Sequence, residues 1–249
     1  MAPRSSLAIA VGFAAEVVRE TRPVVHCVSP LAATPFITDV LHGVGAHAIV
    51  TGTAPDALAA ALGADAVALD LATLSLQWTD DVETAVVAAR GAGVPWLRDL
   101  TTVGRTPARA DRVRALLAHG PAIVRSTDGL LHGEQDPVAE AAQASADIIT
   151  KVTQRDRTIA VPATEGWLCQ VAGVRAAVCA LMAACAAVTT PLEAALAGSA
   201  WLSAAADRAS GQAHGPASFR IALVDALAQV RGDEIAEHLG LVGRVGGAR

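Results

Sequence analysis

Val24-Val25-His26-Cys27-Val28, followed by Thr34-Pro35 and then Phe36, Val40, Leu41 and Val44, decides the fold. The first five residues are β-prone and almost continuously apolar, the pattern of a strand buried on both faces. Thr34-Pro35 is a helix start, because threonine caps and proline suits the first turn. The apolar positions after it fall on one face of a helix. A buried strand running into an amphipathic helix is half of a βαβ unit.

The same alternation continues along the chain. Ala48-Ile49-Val50, Ala66-Val67-Ala68-Leu69, Val94 to Leu97 and Ala122-Ile123-Val124 read as strands. Between them, Pro55 to Leu62, the stretch after Asp80-x-x-Glu83, and the stretch after Thr106-Pro107 read as helices. Val138 to Ala146 is predicted helical and Ile148-Ile149 a strand. From Gly173 onward three helices follow, over 174–188, about 191–210 and 216–230. Such a repeat predicts a doubly wound α/β fold, a mostly parallel sheet with helices on both faces. No composition break or long linker interrupts it. We therefore expect one domain over 1–249, with an N-terminal helix in 1–20 and a flexible tail over 232–249.

Composition narrows the function. The 249 residues are 53% hydrophobic, enough for a sizeable core and too much for a disordered chain. A net charge of −5 offers no basic stripe for nucleic acid. The apolar run Ala176 to Val188 is too short to span a bilayer. Leu7 to Ala15 follows Arg4, but Glu16, Arg19 and Glu20 come next without a clean cleavage site, so an amphipathic helix is the better reading. Cys27, Cys169, Cys179 and Cys185 form no C-x-x-C pair and read as buried free thiols in a reducing cytoplasm.

In an open α/β sheet the ligand lies beyond the carboxyl ends of the strands. Those ends carry Ser29, Thr51, Asp70, Asp99 and Arg125. Gly173-Val174-Arg175-Ala176-Ala177 adds a glycine turn running into a helix, which aims backbone N–H groups at one point and suits a phosphate. A kinase of this build needs a side chain nearby to take a proton from the attacking hydroxyl. The helix start offers none.

Several stretches resemble the hydroxyethylthiazole kinase family, in its order, from about residue 22 to 230. They include Pro23-Val24-Val25-His26-Cys27, Phe36-Ile37-Thr38-Asp39, Gly45-Ala46, Ala72-Thr73-Leu74 and Val94-Pro95-Trp96-Leu97-Arg98-Asp99. Val103-Gly104, Ile123-Val124-Arg125 and Gly215-Pro216-Ala217-Ser218-Phe219 follow, the last leading to Leu223-Val224-Asp225-Ala226-Leu227. The resemblance implies a ribokinase-like fold, a homotrimer, a cytoplasmic setting, and transfer of phosphate from ATP with Mg²⁺ to a small thiazole-like alcohol.

It also implies roles. Asp99 is the carboxylate of the catalytic site and, with Asp128, a magnesium residue. Arg125 and Thr150 belong to the nucleotide, and Val50 and Gly173 to the substrate. Arg175 stands where the family has its second glycine, and reads either as a nucleotide-side cation placed where a γ-phosphate would sit or as a side chain pointing into solvent. The departures matter as much. Four positions where the family carries asparagine hold Pro30, Asp39, Asp70 and Thr127, and the position of its proton-accepting cysteine holds Ala176. The strands between Ile148 and Leu168, which close over ATP in the family, look shortened. On residues alone, Asp99 reads equally as a salt-bridge partner of Arg98 or Arg125, Asp128 as an Asp-Gly turn, and His26 as a core residue.

Overall fold

The structure is a computed structural model that describes residues 5–29, 31–51, 59–70, 79–99, 115–127, 139–143, 149–154, 157–162 and 167–242. Its strands are β1 (Val24–Val28), β2 (His47–Thr51), β3 (Ala66–Asp70), β4 (Trp96–Asp99), β5 (Ile123–Thr127), β6 (Ala139–Gln143), β7 (Ile149–Gln154) and β8 (Arg157–Pro162). They form one sheet in the order β2-β1-β3-β4-β5-β6-β7-β8. Neighbours from β2 through β6 are parallel, and β7 and β8 add an antiparallel hairpin at the edge. The doubly wound, mostly parallel expectation holds. The chain leaves β1 for β2 on one side and returns to β3 on the other, so the winding reverses at β1.

The helices are α1 (Ser6–Thr21), α2 (Thr34–Gly43), α3 (Thr79–Gly91), α4 (Val174–Ala186), α5 (Pro191–Ser210), α6 (Pro216–Gln229) and α7 (Gly232–Val242). Alternation along the strands splits the core in two. Val25, Cys27, Ala66, Ala68, Leu97 and Ile123 face a layer built from α1, α2 and α4 to α7. Val67, Leu69 and Trp96 face Val82, Ala85, Val86 and Ala89 of α3. Every residue of α4 from Ala176 to Ala186 is buried, which explains its unbroken apolar run. Helix α5 lies against it where Gly198 has no side chain; a Cβ there would stand 2.7 Å from Met182 Cγ. Threonine and glutamate close the start of α5 as a capping box, Thr190 with Glu193.

Two expectations change. The segment 139–143 is a strand, β6, although its Ala-Glu-Ala-Ala-Gln composition favours helix. Pairing on both sides, with β5 and β7, overrides that weak local preference. After Ile148 the chain forms β7 and β8, six-residue strands in a hairpin. The tail expected to fray from Gly232 forms α7, which packs on α1 through Ile235, Ala236 and Leu239. Asp233 and Glu234 complement its N-terminal dipole, and the Gly232 N–H donates to Glu16 Oε1 at 2.7 Å. Most of the predicted helices after Pro55 and Thr106 lies outside the described residues. No described helix is long and apolar enough to cross a membrane.

Candidate active site

The ends of β3, β4 and β5 lie side by side at the carboxyl edge of the sheet, and the start of α4 reaches them. Cα pairing sets Asp70 opposite Asp99 and Asp99 opposite Arg125. Arg125 Nη1 donates to Asp99 Oδ2 at 2.6 Å, and both side chains are nearly buried. The same Nη1 donates to the backbone carbonyl of Arg175 at 3.4 Å. One guanidinium thus joins two strand ends to the first turn of α4. Those contacts bring the ends of β4 and β5 next to the start of α4 that follows the glycine bend.

Gly173 sits just ahead of α4 with φ 85°, the left-handed region that favours glycine. A Cβ there would only touch Phe36 at about 3.5 Å, so the backbone angle, not space, demands the glycine. Among the described residues no side chain caps α4, and its first turn holds no acid. A positive dipole end of this kind favours an anion. Arg175 is exposed in that turn.

The salt-bridge reading of Asp99 proves correct in part. Its partner is Arg125, while Arg98 lies on the opposite face with Trp96 by strand alternation. Burial lowers the Arg98 guanidinium to about 9, which leaves it charged at neutral pH. Val50 lies beside Cys27 on the α4 side, one residue short of the end of β2. Thr150 pairs with Gln143 where β7 begins, so its backbone stands level with the carboxyl edge. Asp128 and Pro30 lie outside the described residues. Asp39 is exposed on α2.

Three of the thiols are buried as expected, but Cys169 is exposed on a 3-10 turn, Trp167–Gln170. Cys179 could not replace a lost base. Burial raises its pKa well above the usual range, the charge of Asp99 adds to the rise, and Arg125 opposes it. Burial likewise pushes Cys27 up to about 12, with Asp70 adding.

His26 is fully buried on the α3 side, with Nε2 2.8 Å from Thr51 Oγ1 and Nδ1 without a partner. It is a core residue, only half satisfied. Burial lowers it from 6.5 to about 4. The folded chain keeps the ring neutral, while the unfolded chain gains a proton as pH drops below 6.5. The neutral ring's contribution is complete above pH 6.5 and is lost as pH falls toward 4, at no more than about 1.4 kcal/mol per unit. We expect His26→Gln to lose less melting temperature than the parent between pH 6.5 and 4, measured by thermal denaturation across that range.

The fold is that of a ribokinase-like α/β protein. The Bacillus subtilis pyridoxal kinase, solved as an ADP complex, shares the fold at a TM-score of 0.52, with 10% identity over 74% of this chain and 91% of that one. The hydroxyethylthiazole kinase protein of Pyrococcus horikoshii OT3 is nearer, with a TM-score of 0.82 and 25% identity, over 90% of this chain and 95% of that one. The model of the hydroxyethylthiazole kinase family matches residues 15–133. Hydroxyethylthiazole kinase from Clavibacter sepedonicus is 31% identical over 88% of this chain and 89% of its own length. The chain belongs to the hydroxyethylthiazole kinase family.

Proposed function

We propose that the protein transfers the γ-phosphoryl group of ATP to the hydroxyethyl group of a thiazole alcohol. The observation that carries this reading is the Arg125 guanidinium, which ties Asp99 to the uncapped start of α4. Phosphoryl transfer depends chiefly on positioning and electrostatics, and a cation, a glycine bend and a helix dipole aimed at one crevice supply both. Arg125, Arg175 and Thr150 would hold the nucleotide, and Gly173 and Val50 the alcohol. The buried carboxylate of Asp99 fits magnesium through water, with Asp128 as a second carboxylate. The ion supplies charge neutralisation between phosphates when bound. By family likeness we assign a homotrimer acting in the cytoplasm.

A second reading is binding without turnover. It is favoured by the start of α4, where Ala176 replaces the proton acceptor. One assay separates the two. Purified protein with Mg-ATP and the hydroxyethyl thiazole should release ADP only when the alcohol is present. ADP at background, with the alcohol still raising the melting temperature, would overturn the kinase reading in favour of binding.

A further inference from the structure

We propose that Arg220 is a positioning residue for the alcohol site: its guanidinium holds Phe36 against the Gly173 bend. This rests on the kinase reading above, which gives Gly173 to the alcohol.

The starts of α2, α4 and α6 come together around Phe36. The chain leaves the carboxyl end of β1 and enters α2 at Thr34, so Phe36 stands in the first turn of α2 near that edge of the sheet. Its side chain is fully buried. A Cβ built on Gly173 would lie 3.5 Å from Phe36 Cδ1 and 3.6 Å from Phe36 Cβ, so the bend before α4 rests on this side chain. Helix α6 supplies Arg220, whose Cζ lies 4.7 Å from the centre of the Phe36 ring. Further along, a Cβ on Gly43 would lie 3.4 Å from the Val224 carbonyl oxygen. Helix α6 therefore runs beside α2 in the same direction, and its first turns also lie at the carboxyl edge.

The chemistry of the three residues fits this role. Gly173 has φ 85° and no side chain of its own to fix the bend. Phe36 supplies the wall. Its ring face attracts the guanidinium, while the half-buried stem of Arg220 packs on apolar surface. The neighbouring Phe219 is fully buried and anchors α6, which fixes where residue 220 stands. A glycine bend released from that wall samples more backbone states, and the cost of ordering it then falls on ligand binding. That cost is the same in the ground state and in the transition state, so it shows in KM and not in kcat.

Arg220→Gln in the full chain tests this, because it removes the cation and keeps a polar stem. The expected result is a rise in KM for the alcohol of about two- to fivefold, the range of a cation–π contact at a partly exposed site, with little change in kcat. Arg220→Lys keeps a cation over the ring and should recover most of that rise. In a Phe36→Leu background, Arg220→Gln should add nothing further. A merely structural role would lower the melting temperature and leave KM as it is, and that result overturns the proposal. A fall in kcat at unchanged KM also overturns it. So does an equal rise in KM with and without the Phe36 ring, which would mean that Arg220 acts on the alcohol without Phe36. If the parent protein releases no ADP with the alcohol, the kinase reading fails by itself. The alcohol's dissociation constant, measured by calorimetry on the parent and on Arg220→Gln, then decides the positioning role by the same ratio. No binding of the alcohol to the parent removes both.

Discussion

Arg125→Met is expected to lower stability by about 3–5 kcal/mol, the cost of removing one partner from a buried ion pair. The side chains of Arg125 and Asp99 are 5% and 2% exposed, so water does little to screen what remains. Met fills much of the arginine's volume, and the loss comes from removing the guanidinium beside the buried Asp99 carboxylate. In a chain of this size the melting temperature should fall by roughly 6–20 °C. Pairing it with Asp99→Leu removes the stranded charge and should recover most of that fall. On the kinase reading proposed above, both variants should gain less stability from Mg-ADP than the parent, because Arg125 is one of the proposed nucleotide contacts. Thermal denaturation with and without Mg-ADP reads both effects. An unaltered melting temperature in Arg125→Met would show that the pair does not support the fold.

Trp201→Ala is the second large effect. Trp201 is fully buried on α5, its Nε1 donates to the Leu227 carbonyl at 3.0 Å, and Arg19 lies 4.7 Å from the ring centre. Arg19 Nη2 also donates to the carbonyls of Leu227 and Val230. One indole therefore joins α1, α5 and the end of α6. Truncation opens a cavity and removes the hydrogen bond and the cation–π contact together, costing about 3–5 kcal/mol. Trp201→Phe should cost clearly less, since it keeps an aromatic ring and Arg19 still serves the Leu227 carbonyl. Denaturant unfolding measures both. Equal costs for the two variants would mean that volume is not the issue.

The α/β alternation was legible because each element carries its own period. Val24–Val28 and Ala66–Asp70 are continuous apolar strands, and α4, α5 and α6 open where glycine or proline marks their starts. The strand-end residues Asp99 and Arg125 were legible for the same reason. The segment 139–143 was not: its side chains favour helix, and only neighbours on both edges make it a strand. Helix α7 escaped because its glycines resemble a tail, while what orders it is burial against α1, more than two hundred residues away in the chain.

Local residue chemistry settled the element types, the end of the sheet that bears the crevice, and the absence of an acceptor at 174–177. Those are properties of neighbouring residues, whose period and backbone preference act over a few positions. Only the packed chain decided which arginine pairs with Asp99. That choice rests on the parallel register of β3, β4 and β5, and register is a long-range quantity that no short stretch encodes.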